Sequence, residues 1–234
     1  MVTWAMSPHA TATPAPESNG DRAGAERYGC AVPSPLRPTT LTGQHVVLAP
    51  LSPDHVDGLV EAAAVDRSTY ALTLVPDGRD EMAAYVEQLL ADHAAAKVLP
   101  FVQLDVRTGR PVGCTRYLDP HWWSGRTEPD EIEIGGTWLS ASAQRTAINT
   151  EAKLLLLGYA FDELAVWRVA ICTDADNIRS RAAIERIGAT FEGVLRNHRA
   201  KYNTPTPTAR HTAVYSIIRD EWPEVSTALA LRLR

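Results

Sequence analysis

Cysteine is scarce in this chain, and its distribution argues against two classes of protein. The 234 residues include only Cys30, Cys114 and Cys172, an odd number of widely separated thiols. Neither a CxxC pair nor a cysteine and histidine spacing typical of a metal site occurs. We therefore expect reduced thiols and no metal site, rather than a disulfide-stapled secreted domain or a zinc-binding module.

Long hydrophobic runs and an excess of positive charge are also missing. No segment approaches the roughly 20 apolar residues that cross a bilayer, and the N-terminal region has no apolar stretch typical of a signal peptide. The net charge is −5 at pH 7, which gives no electrostatic footprint for binding nucleic acid. We expect a cytoplasmic protein without nucleic-acid or membrane partners.

Residues 1–39 differ in composition from the remainder of the chain. They are rich in Pro, Ala, Ser, Thr and Gly and show no apolar periodicity. We predict a disordered tail over residues 1–39 and one domain over residues 40–234, which is long enough to bury a sizeable core. Whether the tail belongs to the functional protein stays open, as does the choice between a monomer and a homodimer.

The remaining residues alternate β-rich and helical patterns. Among the predicted elements are strands over 44–51, 98–106, 111–118, 167–173 and 212–218, and helices over 52–65, 79–95 and 221–233. Strands before and after a helix, together with a β-rich first half, indicate an α/β or α+β domain. We predict a mixed, mostly antiparallel sheet flanked by helices.

The most informative stretch begins at Glu131. Glu131 and Glu133 alternate with Ile132 and Ile134, so a strand here places both carboxylates on one face and both isoleucines on the other. The glycine pair at 135–136 then interrupts the strand, which indicates a bulge or a close approach by another group. One face is predicted to be buried and the other charged.

A polar loop leads from this strand into a strongly helical segment. We predict the helix start near Asn149, with Asn149 or Thr150 as N-cap and Glu151 in the first turn, where the helix dipole favours a carboxylate. The free N–H groups of such a terminus can bind phosphate. An ordinary strand-to-helix connection accounts for the same pattern.

Two motifs in this region resemble the GNAT superfamily of N-acetyltransferases. QRTAIN, from Gln144 to Asn149, is similar to the superfamily's pyrophosphate loop, although Ala147 and Asn149 stand at its two small-residue positions. A helix and a strand follow, and then Asn177 and Ser180 form an Asn-x-x-Ser motif. The branch it resembles contains the ribosomal-protein N-terminal alanine acetyltransferases, and the resemblance covers roughly residues 42–233.

This resemblance implies a cofactor and a site. The cofactor is acetyl-CoA, and the strands that carry the two motifs are expected to splay apart and admit it. The implied cofactor-binding residues are Leu139, Gln144, Arg145, Thr146, Ala147, Ile148, Asn149, Asn177 and Ser180.

Acetyl transfer to an amine needs a base for the amine and a proton for the departing thiolate. Glu133 is the first candidate for the base and Glu131 the second, while a solvated strand face explains both equally well. A second base of the resembled branch would fall at Ala141, which has no titratable group. The resemblance makes Ser180 the proton donor and Asn177 a ligand of the pantetheine arm, although the same pair is also a plain helix-capping arrangement.

Five further side chains have two interpretations each. Tyr70 and Leu74 either line the acceptor pocket or anchor the core. His121, Trp122 and Trp123 either form a lid over the acceptor site or pack beneath a hairpin.

Three classes of function follow, in order of preference. The first is an acetyl-CoA dependent N-acetyltransferase that acts on a small amine or on the N-terminus of a peptide. The second is an acetyl-CoA-binding sensor without turnover, which the absence of a glycine at Ala147 favours. The third is a structural or interaction domain.

Overall fold

The computed structural model describes residues 36–70, 72–201, 206 and 208–234. The division between a tail over 1–39 and a domain over 40–234 lies largely outside these residues and stays a prediction. Leu36 is already buried in the core. None of the helices in the described part is long and apolar enough to cross a membrane.

In the described residues, eight strands form one sheet in the order β1-β2-β3-β4-β5-β6-β8-β7. Of the strand pairs described, only β5 and β6 are parallel, so the prediction of a mixed, mostly antiparallel sheet is confirmed. The strands are β1 Leu41–Thr42, β2 Val46–Pro50, β3 Val98–Asp105, β4 Pro111–His121, β5 Glu131–Leu139, β6 Arg168–Asp174, β7 Thr190–Lys201 and β8 Thr208–Ile218.

Five α-helices of the described part of the chain cover the two faces of this sheet. They are α1 Val56–Ala64, α2 Gly78–Ala94, α3 Ala147–Gly158, α4 Ile178–Arg186 and α5 Trp222–Leu231. The strands alternate between two cores, since Phe101 joins the cluster under α3, α4 and α5, whereas its neighbour Val102 joins the cluster under α1 and α2.

The pairing of β5 with β6 is short, and this creates the opening that the resemblance implied. It runs only from Glu131 opposite Arg168 to Glu133 opposite Ala170. Beyond this point β5 continues to Leu139 and β6 continues to Asp174 without pairing to each other. We call the space between these two unpaired segments the strand gap.

The predicted bulge lies in β5, at the edge of the strand gap. The register of β4 against β5 shifts between Cys114 and Arg116, and Gly136 has a φ of 55°. This backbone conformation favours glycine, and a Cβ atom here would lie 2.4 Å from Cζ of Arg116, so that the guanidinium would have to move. The bulge shifts the alternation of side chains along the strand, so that Ile134 belongs to one core and Trp138 to the other.

Candidate active site

Glu131 and Glu133 lie on the same face of β5, as their spacing predicts. Both line a cleft of about 880 Å³, which we call the polar cleft. The cleft lies on the same face of the sheet as α1 and α2, which cover another part of that face. The core that contains Ile132 and Ile134 lies on the opposite face. The polar and aromatic lining of the cleft includes Asp119, His121, Trp122, Glu131, Glu133, Arg168, Cys172, His198 and Arg199.

Glu133 is the most enclosed carboxylate of this cleft, with its side chain 8% exposed. Its Oε2 accepts a hydrogen bond from Nη2 of Arg199 at 2.9 Å, and the same Nη2 lies 3.0 Å from Oδ2 of Asp119. Burial raises the pKa of Glu133, while the positive charge of Arg199 opposes the rise and the negative charge of Asp119 adds to it. Because Glu133 and Ala170 form the last pair before the strand gap, this carboxylate lies where the two strands part.

The thiol of Cys172 is the neighbour of Glu133 across the start of the strand gap. It hydrogen-bonds to the Glu133 carboxylate and lines the polar cleft. Burial and the nearby Glu133 charge raise the pKa of this thiol to about 12. At neutral pH it is therefore a protonated donor and not a thiolate.

Glu131 occupies a different electrostatic setting from Glu133. Nε of Arg168, its partner in the β5–β6 register, lies 3.0 Å from Oε2 of Glu131. Arg168 also pairs with both carboxylate oxygens of Glu192, and this hydrogen bonding lowers the pKa of Glu192. Glu131 is thus ion-paired like Glu133, but its side chain is more exposed, at 18% against 8%, and it lies two residues before the last β5–β6 pair, so it remains the second candidate for the base.

The helix after β5 starts two residues before the predicted position. Helix α3 begins at Ala147, and Thr146 is its N-cap, with Oγ1 accepting from the Ile148 N–H at 3.3 Å. The prediction of Asn149 or Thr150 as N-cap was therefore wrong, because a threonine with extended backbone already caps the helix earlier. Helix geometry leaves the N–H groups of Ala147 and Asn149 without intrahelical acceptors.

The prediction that Glu151 lies in the first turn of the helix was also wrong, because α3 begins at Ala147 and Glu151 lies in its second turn. Glu151 is 5% exposed, and its carboxylate accepts hydrogen bonds from the backbone N–H groups of Gln44, His45 and Val46. The turn before β2 wraps this carboxylate so closely that a Cβ at Gly43 would lie 2.3 Å from Cδ of Glu151. Glu151 therefore fastens α3 to β2.

The side chains of the loop before α3 differ in their contacts and in their exposure. Nε2 of Gln144 donates to the carbonyl of Leu139 at 2.9 Å and to Oγ1 of Thr69 at 3.1 Å, which holds the loop in shape. Arg145 has a φ of 60° and is exposed. Leu139 and Ile148 turn their side chains into the core, so only their backbone can contact a ligand.

Asn177 and Ser180 meet at the start of α4. Oδ1 of Asn177 accepts from the Ser180 N–H at 3.0 Å, so the helix-capping interpretation holds for this contact. Ser180 is half-buried and does not line the polar cleft. Its helix packs with the core on the opposite face of the sheet, through Ile184 and Ile187.

Arg179, which the sequence motifs do not single out, links the two sides of this region. Its Nη2 donates to the carbonyl of Thr69 at 2.9 Å, and its Nη1 lies 3.5 Å from Oε1 of Gln144. The loop that follows β5 and the helix that follows β6 are thereby connected across the carboxyl ends of the two strands.

The five side chains for which the sequence allows two interpretations differ in their surroundings. Tyr70 is buried against Trp138, with ring centroids 6.1 Å apart, whereas Leu74 is 71% exposed. His121 and Trp122 line the polar cleft, and Trp123 stacks on His121. Within the described residues, no group of three or more His, Cys, Asp and Glu side chains is arranged to hold a metal ion.

Sequence reasoning missed Arg199, Arg168 and Cys172. Arg168 and Cys172 are in a strand that reads as buried and apolar, and Arg199 is separated from Glu133 by 66 positions. The alternation Arg168, Ala170, Cys172 could have indicated a second polar face, but only the strand register shows which carboxylates it meets.

Comparisons with known proteins agree with this architecture. The family model described as "Acetyltransferase (GNAT) domain" matches residues 45–190. A candidate ribosomal N-acetyltransferase, YdaF of Bacillus subtilis (strain 168), is 38% identical over 88 residues, which span 37% of this chain and 45% of that protein. This chain thus matches less than half the length of that relative.

Two solved structures illustrate the likeness of the fold. A GCN5-related N-acetyltransferase from Brucella melitensis superposes with a TM-score of 0.73 at 27% identity, over 88% of this chain and 90% of that chain. RimJ of Mycobacterium smegmatis, in complex with CoA-disulfide, gives a TM-score of 0.69 at 19% identity, over 83% of this chain and 95% of that chain. With the family match over most of the folded region, the chain belongs to the GNAT family of acetyltransferases.

Proposed function

We propose that this protein transfers the acetyl group of acetyl-CoA to a primary amine, with Glu133 as the base. The observation that carries the proposal is the position of Glu133, a buried carboxylate that lines the polar cleft at the point where β5 and β6 part. A raised pKa makes a carboxylate a better proton acceptor for an ammonium group.

The two sides of the sheet supply the two substrates in this proposal. Acetyl-CoA approaches from the side of α3 and α4, with its diphosphate at the free N–H groups of Ala147 and Asn149 and its pantetheine arm in the strand gap. The amine enters through the polar cleft on the other side. Support comes from the opposite faces of the sheet on which the two residues lie, since the helix of Ser180 packs into the core that contains α3 and Glu133 lines the polar cleft.

Two side chains carry out the proton transfers of the chemical step. Glu133 takes a proton from the ammonium group and passes it to solvent, and the neutral nitrogen attacks the thioester carbonyl. As the carbon–sulfur bond breaks, the hydroxyl of Ser180 gives a proton to the CoA thiolate. The second proton that leaves the nitrogen returns through Glu133 and water to Ser180, so both side chains end in their starting states. Backbone groups of β5 beyond Glu133, which no longer pair with β6, are available to hydrogen-bond the developing oxyanion.

The size of the polar cleft guides the choice of acceptor class. Three carboxylates, Asp119, Glu131 and Glu133, line it together with three basic side chains, Lys97, Arg168 and Arg199, so the formal charge of the lining is balanced and does not select the acceptor. A volume of about 880 Å³ accommodates several residues of an extended peptide. We propose a peptide N-terminus as the acceptor, with a small amine as the alternative; the printed name of YdaF points to the former.

A turnover screen tests this proposal. CoA release from acetyl-CoA is measured with peptides that begin with alanine or serine, with the same peptides blocked by N-terminal acetylation, and with a panel of small amines. The proposal predicts turnover with free amines and none with blocked peptides that lack lysine. Binding of acetyl-CoA without turnover of any amine would instead identify a sensor.

A further inference from the structure

Lys153 is a buried ammonium group that the proposed chemistry does not use. It lies on α3, is 7% exposed, and directs Nζ towards the sheet, where Oγ1 of Thr137 lies 2.8 Å away. Thr137 in turn shares a hydrogen bond of 2.8 Å with Thr115 of β4. Lysine is rarely buried without a charged partner, so its presence here needs an explanation.

No carboxylate of the described residues compensates the charge of this lysine, since none lies within ion-pair distance of Nζ. Its hydrogen-bond partner is the hydroxyl of Thr137, which in turn bonds to that of Thr115. Burial alone lowers the pKa of Lys153 to about 7, without a contribution from any charged side chain. A positive charge at this position is therefore costly in the unliganded protein.

The position of Lys153 relates it to the proposed cofactor path in two ways. Thr137 belongs to the segment of β5 that lines the strand gap, beyond the last pair with β6. Lys153 also follows Ala147 on the same helix, and a long helical side chain points back towards the helix N-terminus. Its side chain therefore runs from the second turn of α3 towards the first turn, whose free N–H groups are where we place the diphosphate.

We propose that Lys153 is a buried counter-ion for the diphosphate of acetyl-CoA and takes up a proton when the cofactor binds, an inference that rests on the proposed function. The diphosphate of the cofactor supplies a negative charge that no described carboxylate near Nζ provides. In this low-dielectric region, an anion near the first turn of α3 stabilises the ammonium form over the neutral amine. Cofactor binding and protonation of Lys153 then promote each other by linkage.

Calorimetric titration of the full chain with acetyl-CoA at pH 8 tests the inference. Measurements in HEPES and in Tris, whose ionisation enthalpies differ, give the number of protons exchanged. We expect uptake of at least about 0.3 proton per protein molecule, because Lys153 is mostly neutral at this pH before binding. In Lys153→Met we expect no uptake and a dissociation constant about tenfold higher.

Leu155→Met is the matched control, since it places a methionine at a half-buried position of the same helix. It should retain both the proton uptake and the affinity of the unmodified protein. If the unmodified protein binds acetyl-CoA without proton uptake, or if uptake persists in folded Lys153→Met, the role of Lys153 is overturned and the cofactor assignment stands. If the unmodified protein does not bind acetyl-CoA at all, the proposed function falls together with this inference.

Discussion

Arg199 of β7 and Glu133 of β5 form an ion pair inside the polar cleft, with Nη2 and Oε2 separated by 2.9 Å. Asn197, two residues before Arg199, has a φ of 50°, and the register of β7 against β8 shifts between Leu195 and Arg199. This irregularity places Arg199 on the face of Glu133. The ion pair keeps a buried carboxylate able to ionise, which a base requires.

Replacement of Arg199 by methionine should move the acidic limb of the pH profile to higher pH. The positive charge of Arg199 opposes the effect of burial on the pKa of Glu133, so its removal leaves burial and Asp119 to raise that pKa further. The profile of kcat/KM against pH reports the change. Arg196→Met, at an exposed position of the same strand, should leave the limb where it is. An unshifted limb in Arg199→Met would mean that another group controls it.

Ala147→Glu should weaken the binding of acetyl-CoA. The substitution introduces a negative charge at the helix terminus where we place the diphosphate, and the dissociation constant should rise tenfold or more, about 1.4 kcal/mol. Ala147→Gln has nearly the same size without the charge and should weaken binding less. Equal affinities for both variants and the unmodified protein, measured by calorimetry, would remove this loop from the cofactor site.

The pH dependence of stability should reveal the buried Lys153. Its pKa in the folded protein is about 7, below the value of 10.5 expected for an exposed lysine, so between these values the unfolded state binds more protons. Its contribution to the free energy of unfolding therefore rises with pH, by about 1 kcal/mol per pH unit near pH 8. Urea titrations of the unmodified protein and Lys153→Met, from pH 7 to pH 8.5, should diverge by that slope. Parallel curves would show that Lys153 is already charged or already neutral throughout.

Glu151→Ala should destabilise the fold without touching the polar cleft. It removes the acceptor of three backbone N–H groups, those of Gln44 and His45 in the turn before β2 and that of Val46 at the start of the strand. Val46 is buried and His45 half-buried, so at least these two N–H groups lose a partner that water replaces poorly. The expected loss is about 2–4 kcal/mol, measured by urea denaturation. Glu163→Ala, at an exposed position, is the control and should change stability by less than about 0.5 kcal/mol. A loss of that small size in Glu151→Ala would show that water replaces the carboxylate.

The strand that carries Glu131 and Glu133 could be predicted because one local pattern determines it. Alternation over four residues fixes which face the carboxylates share, and the glycine pair marks the bulge. The same reasoning fails for Glu151 and Lys153, because helical periodicity treats charged residues as solvent-facing. Their burial depends on a turn and on strands that are distant in sequence, as the separation of 107 positions between Gln44 and Glu151 illustrates.

The partners of Glu133 could not be predicted from the sequence for a related reason. Arg199 meets Glu133 only because β7 and β8 return beside β6 and because a local irregularity in β7 selects the face. The capping contact between Asn177 and Ser180, by contrast, could be predicted from the sequence alone. That contact does not show whether either side chain binds a ligand.

The pH profile of kcat/KM for the unmodified protein, Glu133→Gln and Ser180→Ala tests the central claim most directly. With an accepted amine and acetyl-CoA, both variants should lose roughly ten- to a thousandfold in kcat while retaining acetyl-CoA affinity. Glu133→Gln should also lose the acidic limb, because the titrating base is gone, whereas Ser180→Ala should keep it. Glu128→Gln, in an exposed loop, controls for the change of charge. An unaltered acidic limb in active Glu133→Gln would contradict the assignment of Glu133 as the base.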